Sequence, residues 1–308
     1  MNDAVVECVP NFSEGVDASK VEAIVKAMHV EGVSLLDWSR DEDHNRSVVT
    51  IAGPPALVVE SALRGVGKAC ELINLTRQSG VHPRIGAADV IPFVPISGVS
   101  LEQCAMLARQ AGMQIWNRYQ IPVYFYEAAA ARPDRALLED VRRGQFEGLR
   151  EAVRRDSAQR PDVGGPELHP TAGACAVGAR KFLIAYNVYL DTADVGAARA
   201  IAREIRASGG GLSGVKAMGV VAHGQAQISM NITDFRTTPM VQAHHAIKER
   251  AARHHIRIVR GELIGLIPEA AIEQDAEWVR QLDGFNPDEK ILERKLRNPI
   301  SWPGTDLT

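Results

Sequence analysis

The feature that most constrains this chain is an order of strand-like and helix-like patterns that occurs once in each half. In the first half, short apolar runs that suit buried strands alternate with segments whose apolar residues recur at helical spacing. The predicted order is strand, helix, strand, strand, helix, strand, at residues 4–10, 20–29, 33–38, 45–53, 55–73 and 90–96. This βαββαβ order is typical of the split βαβ arrangement of ferredoxin-like folds.

The second half repeats this order of elements without recognisable sequence identity, which indicates a structural duplication. Its predicted elements are residues 181–190, 195–207, 217–222, 226–232, 239–254 and 256–259. Between the halves we expect a helix at 101–111, a strand at 123–126 and a basic helical stretch at 133–155, which we interpret as a solvated face. The sequence therefore predicts an α+β protein with two ferredoxin-like subdomains packed side by side.

An irregular segment, residues 157–174, separates the two patterns. It contains three prolines and three glycines and has no apolar period, so we predict that it connects the two halves. Irregular segments of this length inside a compact enzyme are often functional as well.

The most distinctive loop runs from Ser79 to Asp89 and precedes the predicted strand at 90–96. Gly80 and Gly86 bracket His82, and Pro83 favours extended backbone at the histidine, so we expect the imidazole to be held in place. The positive charge of the adjacent Arg84 should lower the pKa of His82, because it disfavours a second positive charge. His82 is therefore a candidate base at neutral pH.

Composition restricts the partners and the compartment. The chain has 308 residues and a formal net charge of −3, with no basic stripe, so we expect no nucleic-acid partner. An acidic or zwitterionic small molecule suits the local arginines better. The four cysteines are far apart, which favours free thiols in a reducing compartment. With no leader-like start and no apolar run of membrane-spanning length, we expect a cytoplasmic protein that does not bind membranes.

The other histidines give weaker indications. Two pairs, at 244–245 and 254–255, lack the i, i+4 spacing that places zinc ligands on one helix face, so we expect no metal site. His44 follows Asp41, Glu42 and Asp43, and this stretch is either part of a metal or substrate site or simply a charged turn.

Five longer motifs carry a resemblance to a known family. They are Glu7-Cys8-Val9-Pro10-Asn11-Phe12-Ser13-Glu14-Gly15, Asn45-Arg46-Ser47-Val48, the 80–89 loop, Gly178-Ala179-Arg180-Lys181-Phe182-Leu183-Ile184-Ala185-Tyr186-Asn187 and Leu263-Ile264-Gly265-Leu266-Ile267-Pro268. Together they resemble the glutamate formimidoyltransferases, the formiminotransferase part of formiminotransferase-cyclodeaminase, over nearly the whole chain. We expect no cyclodeaminase part, so the chain resembles the free-standing transferase.

The resemblance implies two formiminotransferase subdomains, here residues 1–177 and 178–308, with a substrate cleft between them. It implies transfer of a formimidoyl group from N-formimidoyl-L-glutamate to N5 of tetrahydrofolate, a late step of histidine degradation, by a homodimer without a metal. The family's catalytic histidine falls on His82. Its folate-binding segment falls on Val163, Gly164, Gly165, Pro166, Glu167, Leu168, His169, Pro170, Thr171 and Ala172. The middle of this segment, and the turn at 39–44, depart from the animal enzymes.

Both expected substrates carry carboxylates, so the site needs cationic anchors. The candidates are Arg46, Arg84, Arg180 and Lys181. Two other functions remain open. A hydrolase would use His82 with Asp89, or His44 with its acidic neighbours, to activate water on formimidoyl- or formyl-glutamate, and a folate-binding protein would bind without transfer.

Overall fold

The computed structural model describes residues 4–274, 276–280 and 282–305. The chain divides into two compact units: residues 4–180 together with 299–305, and residues 181–298. The sequence-based division at 177/178 differs by three residues and does not include the return of the last segment to the first unit. That return is fixed by backbone pairing of Ile300 with Leu35 and by a hydrogen bond from Trp302 Nε1 to the Val33 carbonyl.

The first unit contains one mixed sheet. Its strands are β1 (Val5–Cys8), β2 (Asn11–Phe12), β3 (Ser34–Asp41), β4 (Arg46–Gly53), β5 (Ala88–Ser97), β6 (Val123–Glu127) and β7 (Cys175–Ala179). β1 and β2 both lie between β4 and β5, and β3 pairs with the outer side of β4, all antiparallel. β5, β7 and β6 continue the sheet in parallel. The sequence predicts a strand at 4–10 and no strand after it, whereas the structure ends β1 at Cys8 and adds β2 beyond Pro10, which has no N–H for the ladder.

Five helices accompany this sheet: α1 (Ala18–Ala27), α2 (Pro55–Leu72), α3 (Leu101–Tyr119), α4 (Leu138–Val141) and α5 (Gln145–Arg155). Side chains alternate along the strands, so Val49 and Ile51 enter the core whereas Arg46 belongs to the opposite face. By the same alternation Phe12 is in the core and Asn11 is on the face with Arg46.

The basic stretch at 133–155 is neither one helix nor a uniformly solvated face. α4 ends at Val141, and Gly144, directly before α5, has φ +83°, a left-handed conformation that separates the two helices. Arg135 is 5% exposed, and Arg142 forms an ion pair with the buried Asp89. The interpretation as a solvated face is therefore wrong for these two arginines.

The second unit contains β8 (Ile184–Leu190), α6 (Val195–Ile205), β9 (Val215–Ala222), β10 (Gln225–Ile232), α7 (Met240–Arg253) and β11 (Ile258–Ile264). The four strands form an antiparallel sheet in the order β11, β8, β10, β9. Four short helices follow: α8 (Glu269–Glu273), α9 (Ala276–Val279), α10 (Pro287–Lys290) and α11 (Leu292–Arg297). The predicted α+β class is confirmed, and both units contain the predicted βαββαβ order.

The irregular segment at 157–174 does not join the two units. It belongs to the first unit, and four of its side chains, Val163, Leu168, Ala172 and Ala174, lie in that unit's core. The prediction that it connects the halves is wrong. That prediction is based on the absence of an apolar period, and the apolar residues that anchor the segment are too widely spaced to produce one. The substrate cleft expected between the subdomains stays a prediction. Over the described ranges, no helix is long and apolar enough to cross a membrane.

Candidate functional site

The loop that carries His82 packs against the turn between β3 and β4. Asn45 Nδ2 donates to the Ser79 carbonyl at 2.9 Å, and the Val81 N–H donates to the Asp43 carbonyl at 3.3 Å. A Cβ at Gly80 would lie 2.6 Å from the His44 carbonyl oxygen, so only glycine allows this approach. The acidic turn and the histidine loop therefore form one local structure.

His82 is half-buried and contacts two groups through the same ring nitrogen. Its Nδ1 lies 2.8 Å from Arg46 Nη1 and 2.8 Å from the carbonyl oxygen of Pro83. The ring of His44 lies 6.0 Å away, centroid to centroid. The imidazole is thus held from its Nδ1 side.

Arg46 is the first residue of β4 and is itself tightly held. Its Nη2 donates to Asn11 Oδ1, and its Nη1 lies 3.5 Å from Asp89 Oδ2. Asn11 Nδ2 donates to the Val9 carbonyl at 2.6 Å, which orients the amide oxygen towards the guanidinium. Because Asn11 and Arg46 lie on the same face of the sheet, on the paired strands β2 and β4, their side chains can meet.

Asp89 provides the buried negative charge of the cluster and is 1% exposed. Its Oδ1 accepts the Ile85 N–H at 2.8 Å, which closes the histidine loop, and its Oδ2 accepts from Arg142 Nη2. One carboxylate therefore faces two guanidinium groups, and the cluster of Asn11, Arg46, His82, Asp89 and Arg142 carries a net positive charge.

This environment lowers the pKa of His82 well below its ordinary value of 6.5. Burial is the largest cause, followed by the charges of Arg46 and Arg142, while the hydrogen bond to the Pro83 carbonyl acts in the opposite direction. The sequence assigns the lowering to Arg84, which is wrong, since the arginines that act on the ring are Arg46 of β4 and Arg142, the residue that follows α4. Burial and Arg142 also lower the pKa of Arg46 to about 9, so Arg46 is cationic at neutral pH.

The four predicted anchors lie in different surroundings. The fold places Arg46 next to His82, with Nη1 2.8 Å from Nδ1 of the ring. Arg84 is 8% exposed, and its Nη2 donates to the Gln78 carbonyl at 2.8 Å and to Glu147 Oε1 at 3.0 Å, so it ties the loop to α5. Arg180 is half-buried at the end of the first unit, and Lys181 is exposed at the start of the second. Carboxylate binding by these residues stays a prediction.

The segment from Val163 to Ala172 is anchored at both ends. Val163 exchanges two backbone hydrogen bonds with Val123 of β6, and the Ala172 carbonyl accepts the Ala87 N–H at 2.8 Å. Gly164 has φ +77°, and a Cβ there would overlap the ring of Trp116. Between these anchors Gly164, Pro166, Glu167 and Pro170 are exposed. This arrangement presents a short exposed surface on a fixed base.

His169 fixes the turn at the end of this segment. Its backbone N–H donates to the Gly173 carbonyl at 2.9 Å, and its Nδ1 accepts the Ala172 N–H at 3.0 Å. Burial lowers the pKa of His169 from its ordinary value. These contacts give His169 a structural role in the turn.

Sequence reasoning missed two residues of the cluster, Asn11 and Arg142, and considered Asp89 only for a hydrolase. Asn11 lies in the motif from Glu7 to Gly15, so the family resemblance could have identified it. Arg142 lies in the basic stretch and is separated from Asp89 by more than fifty residues, so no local pattern indicates the pair.

A second group of titratable residues surrounds His244 on α7. Tyr186 Oη lies 2.8 Å from His244 Nδ1, and the ring of Trp278 lies 5.0 Å away. Burial lowers the pKa of His244 to about 4. Two shallow depressions of about 410 and 400 Å³ adjoin this residue. Within the described parts of the chain, no three His, Cys, Asp or Glu side chains converge on a metal-sized site.

Comparison with known proteins assigns both units. Residues 5–180 match the family described as the formiminotransferase domain, N-terminal subdomain, and residues 185–292 match the formiminotransferase domain. The chain is 41% identical to a glutamate formimidoyltransferase from Streptococcus pyogenes serotype M1, over 95% of this chain and 98% of that protein. It is 43% identical to the protein of the same name from Thermoplasma acidophilum, over 95% of this chain and 97% of that protein.

A longer animal protein also matches. The chain is 37% identical to the formimidoyltransferase-cyclodeaminase of Gallus gallus, over 98% of this chain but only 57% of that protein. Two matched subdomains and relatives at 41–43% identity over almost their whole length establish the relationship. The chain therefore belongs to the formiminotransferase family.

Proposed function

We propose that this protein is a glutamate formimidoyltransferase, which moves the formimidoyl group of N-formimidoyl-L-glutamate to N5 of tetrahydrofolate. The products are 5-formimidoyltetrahydrofolate and L-glutamate, in histidine degradation and one-carbon metabolism. The observation that carries the proposal is the imidazole of His82, held by Arg46 in a chain that matches relatives of that name along nearly its full length.

The reaction forms one bond and breaks another at the same carbon. N5 attacks the amidine carbon to give a tetrahedral adduct, and the bond from that carbon to the glutamate nitrogen then breaks. One proton leaves N5 and one reaches the departing nitrogen, so a single acid/base group can serve both transfers. We assign this role to His82. Because burial and two arginines disfavour the imidazolium, a proton taken up by His82 is readily given to the leaving nitrogen.

Substrate carboxylates need cations that can reach them. We propose that the four predicted anchors, Arg46, Arg84, Arg180 and Lys181, supply this positive charge, with Arg46 next to His82. Lys181 supports this choice because it is exposed.

We propose that the co-substrate tetrahydrofolate contacts the exposed residues between Val163 and Ala172. A rigid base with an exposed glycine- and proline-containing surface allows a flat ring to approach the backbone closely. The chain's own residues supply binding and proton transfer in this scheme, without a metal.

We also propose a homodimer in the cytoplasm. The location is supported by four cysteines that are all free thiols, as expected in a reducing compartment. Gel filtration with light scattering tests the dimer.

The test of the transfer reaction mixes purified protein, tetrahydrofolate and formimidoyl-glutamate, then acidifies the mixture and measures 5,10-methenyltetrahydrofolate by its absorbance. We expect product that requires both substrates and is lost in His82→Gln but kept in His254→Gln, a control at an exposed histidine. Glutamate release without tetrahydrofolate would instead identify a hydrolase. Folate binding without transfer would identify a binding protein.

A further inference from the structure

His82 Nδ1 lies within hydrogen-bond distance of two groups, of which one can only donate a hydrogen bond and the other can only accept one. Arg46 Nη1 and the Pro83 carbonyl oxygen are each 2.8 Å away. A guanidinium only donates and a carbonyl only accepts, so Nδ1 can satisfy one of them in a given tautomer. The proton is on Nε2 if Nδ1 accepts from Arg46, and on Nδ1 if the ring donates to Pro83.

The position of Arg46 cannot easily change, because its other contacts hold it. Nη2 donates to Asn11 Oδ1, Nη1 also lies near Asp89, and the side chain is 18% exposed. Asn11 is in turn fixed by its bond to the Val9 carbonyl. The donor therefore stays directed at the ring in the free protein.

We infer that Arg46 is a positioning residue that fixes the tautomer of His82, with Nδ1 as acceptor and the proton on Nε2. A hydrogen bond from a charged donor is about twice as strong as one between neutral groups. This difference in hydrogen-bond free energy makes the Nε2–H tautomer about five-fold more populated than the Nδ1–H tautomer.

This inference rests on the proposed function for its consequence. With the proton on Nε2, the free protein presents an N–H at the ring's other nitrogen, and His82 cannot take a proton there. A base at Nε2 requires the proton on Nδ1, for which the Pro83 carbonyl is already placed as acceptor. The change of tautomer is an exchange with water, which takes the proton from Nε2 and supplies one to Nδ1, so the ring keeps one proton. Arg46 therefore sets the fraction of His82 that is ready to accept the N5 proton.

The test is a long-range 1H–15N correlation spectrum of the free, 15N-labelled protein at pH 8, where the His82 imidazole is neutral. Loss of the signals in His82→Gln assigns them. We expect an unprotonated Nδ1 and a protonated Nε2 in the wild type. Arg46→Met should reverse the pattern, because only the Pro83 carbonyl then faces Nδ1, whereas Arg46→Lys keeps a charged donor and should keep it.

Arg40→Met is the matched control, since Arg40 lies on the same hairpin and donates to the Gly15 carbonyl and Glu42 rather than to His82. It should leave the tautomer unchanged. A wild type with the proton on Nδ1, or an unchanged pattern in Arg46→Met, would overturn the inference. If Arg46→Met does not fold, Asn11→Ala replaces it and should lower the Nε2–H fraction, and an unchanged fraction would overturn the inference equally.

The spectrum needs no substrate, so it separates this inference from the proposed function. The expected tautomer in a protein that transfers no formimidoyl group would leave the inference standing and refute the function. Transfer by a protein with the opposite tautomer would support the function and overturn the inference.

Discussion

The buried ion pair between Arg135 and Asp162 should be necessary for the stability of the first unit. Their side chains are 6% and 7% exposed. Asp162 Oδ1 accepts from Arg135 Nη1, and Oδ2 accepts the Phe125 N–H at 2.8 Å. Arg135 Nη2 donates to the Ala158 carbonyl at 3.0 Å. The pair therefore ties the start of the irregular segment to β6, directly before Val163.

Asp162→Asn preserves shape and leaves an oxygen for the Phe125 N–H, but it leaves the charge of Arg135 buried without a counter-ion. Removing one partner of a buried pair costs about 3–5 kcal/mol of unfolding free energy. Domains are stable by only about 5–15 kcal/mol, so the loss is a large fraction of the total. For a unit of this size the melting temperature should fall on the order of 10 °C.

A double-mutant cycle isolates the pair. Arg135→Met alone should also be strongly destabilising, because it strands the carboxylate. The double variant should lose less than the sum of the two single losses, by about 3 kcal/mol, since neither charge is then left unpaired. Urea unfolding followed by tryptophan fluorescence suits the measurement, because Trp116 lies against Gly164 and reports on the segment.

Asp134→Asn is the control for this cycle. It pairs with Arg132 at the surface, where the side chains of Asp134 and Arg132 are 58% and 39% exposed, and such surface pairs contribute little to stability. Equal, small losses in Asp162→Asn and Asp134→Asn would refute the reasoning, because they would mean that burial does not strengthen the dependence on the partner.

Four further predictions concern the proposed reaction. His82→Ala should fold and bind folate normally but lose about 10²–10⁴-fold in kcat, measured by the methenyl assay, and transfer at the wild-type rate would refute the role of His82. The value of kcat/KM should rise with pH through the lowered pKa of His82, so its half-maximal point should lie below pH 6.5, and a midpoint at or above 6.5 would contradict the environment described. Lys181→Ala should mainly raise KM, because carboxylate binding acts in ground and transition states alike, and a fall in kcat at constant KM would reassign the residue. Hydrogen exchange at residues 163–172 should slow on adding folate, and unchanged exchange alongside measurable binding would remove the segment from the site.

The elements that depend on local pattern were predictable. The helix expected at 55–73 is α2 at Pro55–Leu72, because prolines mark its start and apolar residues recur at helical spacing along it. The hairpin of β3 and β4 follows from two apolar runs joined by a polar turn. Both reflect interactions between residues close in sequence.

The parts that depend on distant partners were not predictable. β7 is five residues of small side chains, and it is a strand because β5 and β6 pair with it in parallel. The pKa of His82 likewise depends on burial and on Arg142, which only the fold brings near. The histidine itself was predicted from its loop and the family resemblance, whereas its electrostatic environment required the structure.

The return of residues 299–305 to the first unit has a consequence for how the molecule is made. The second unit is an insertion in the first. Ile300 pairs with Leu35 at the start of β3, the edge strand of the larger sheet, and Trp302 donates to Val33 just before that strand. During synthesis this edge is therefore covered only after the whole second unit and residues 299–305 have left the ribosome. An uncovered edge strand can pair with another chain, so the nascent protein is vulnerable to aggregation until residues 299–305 emerge.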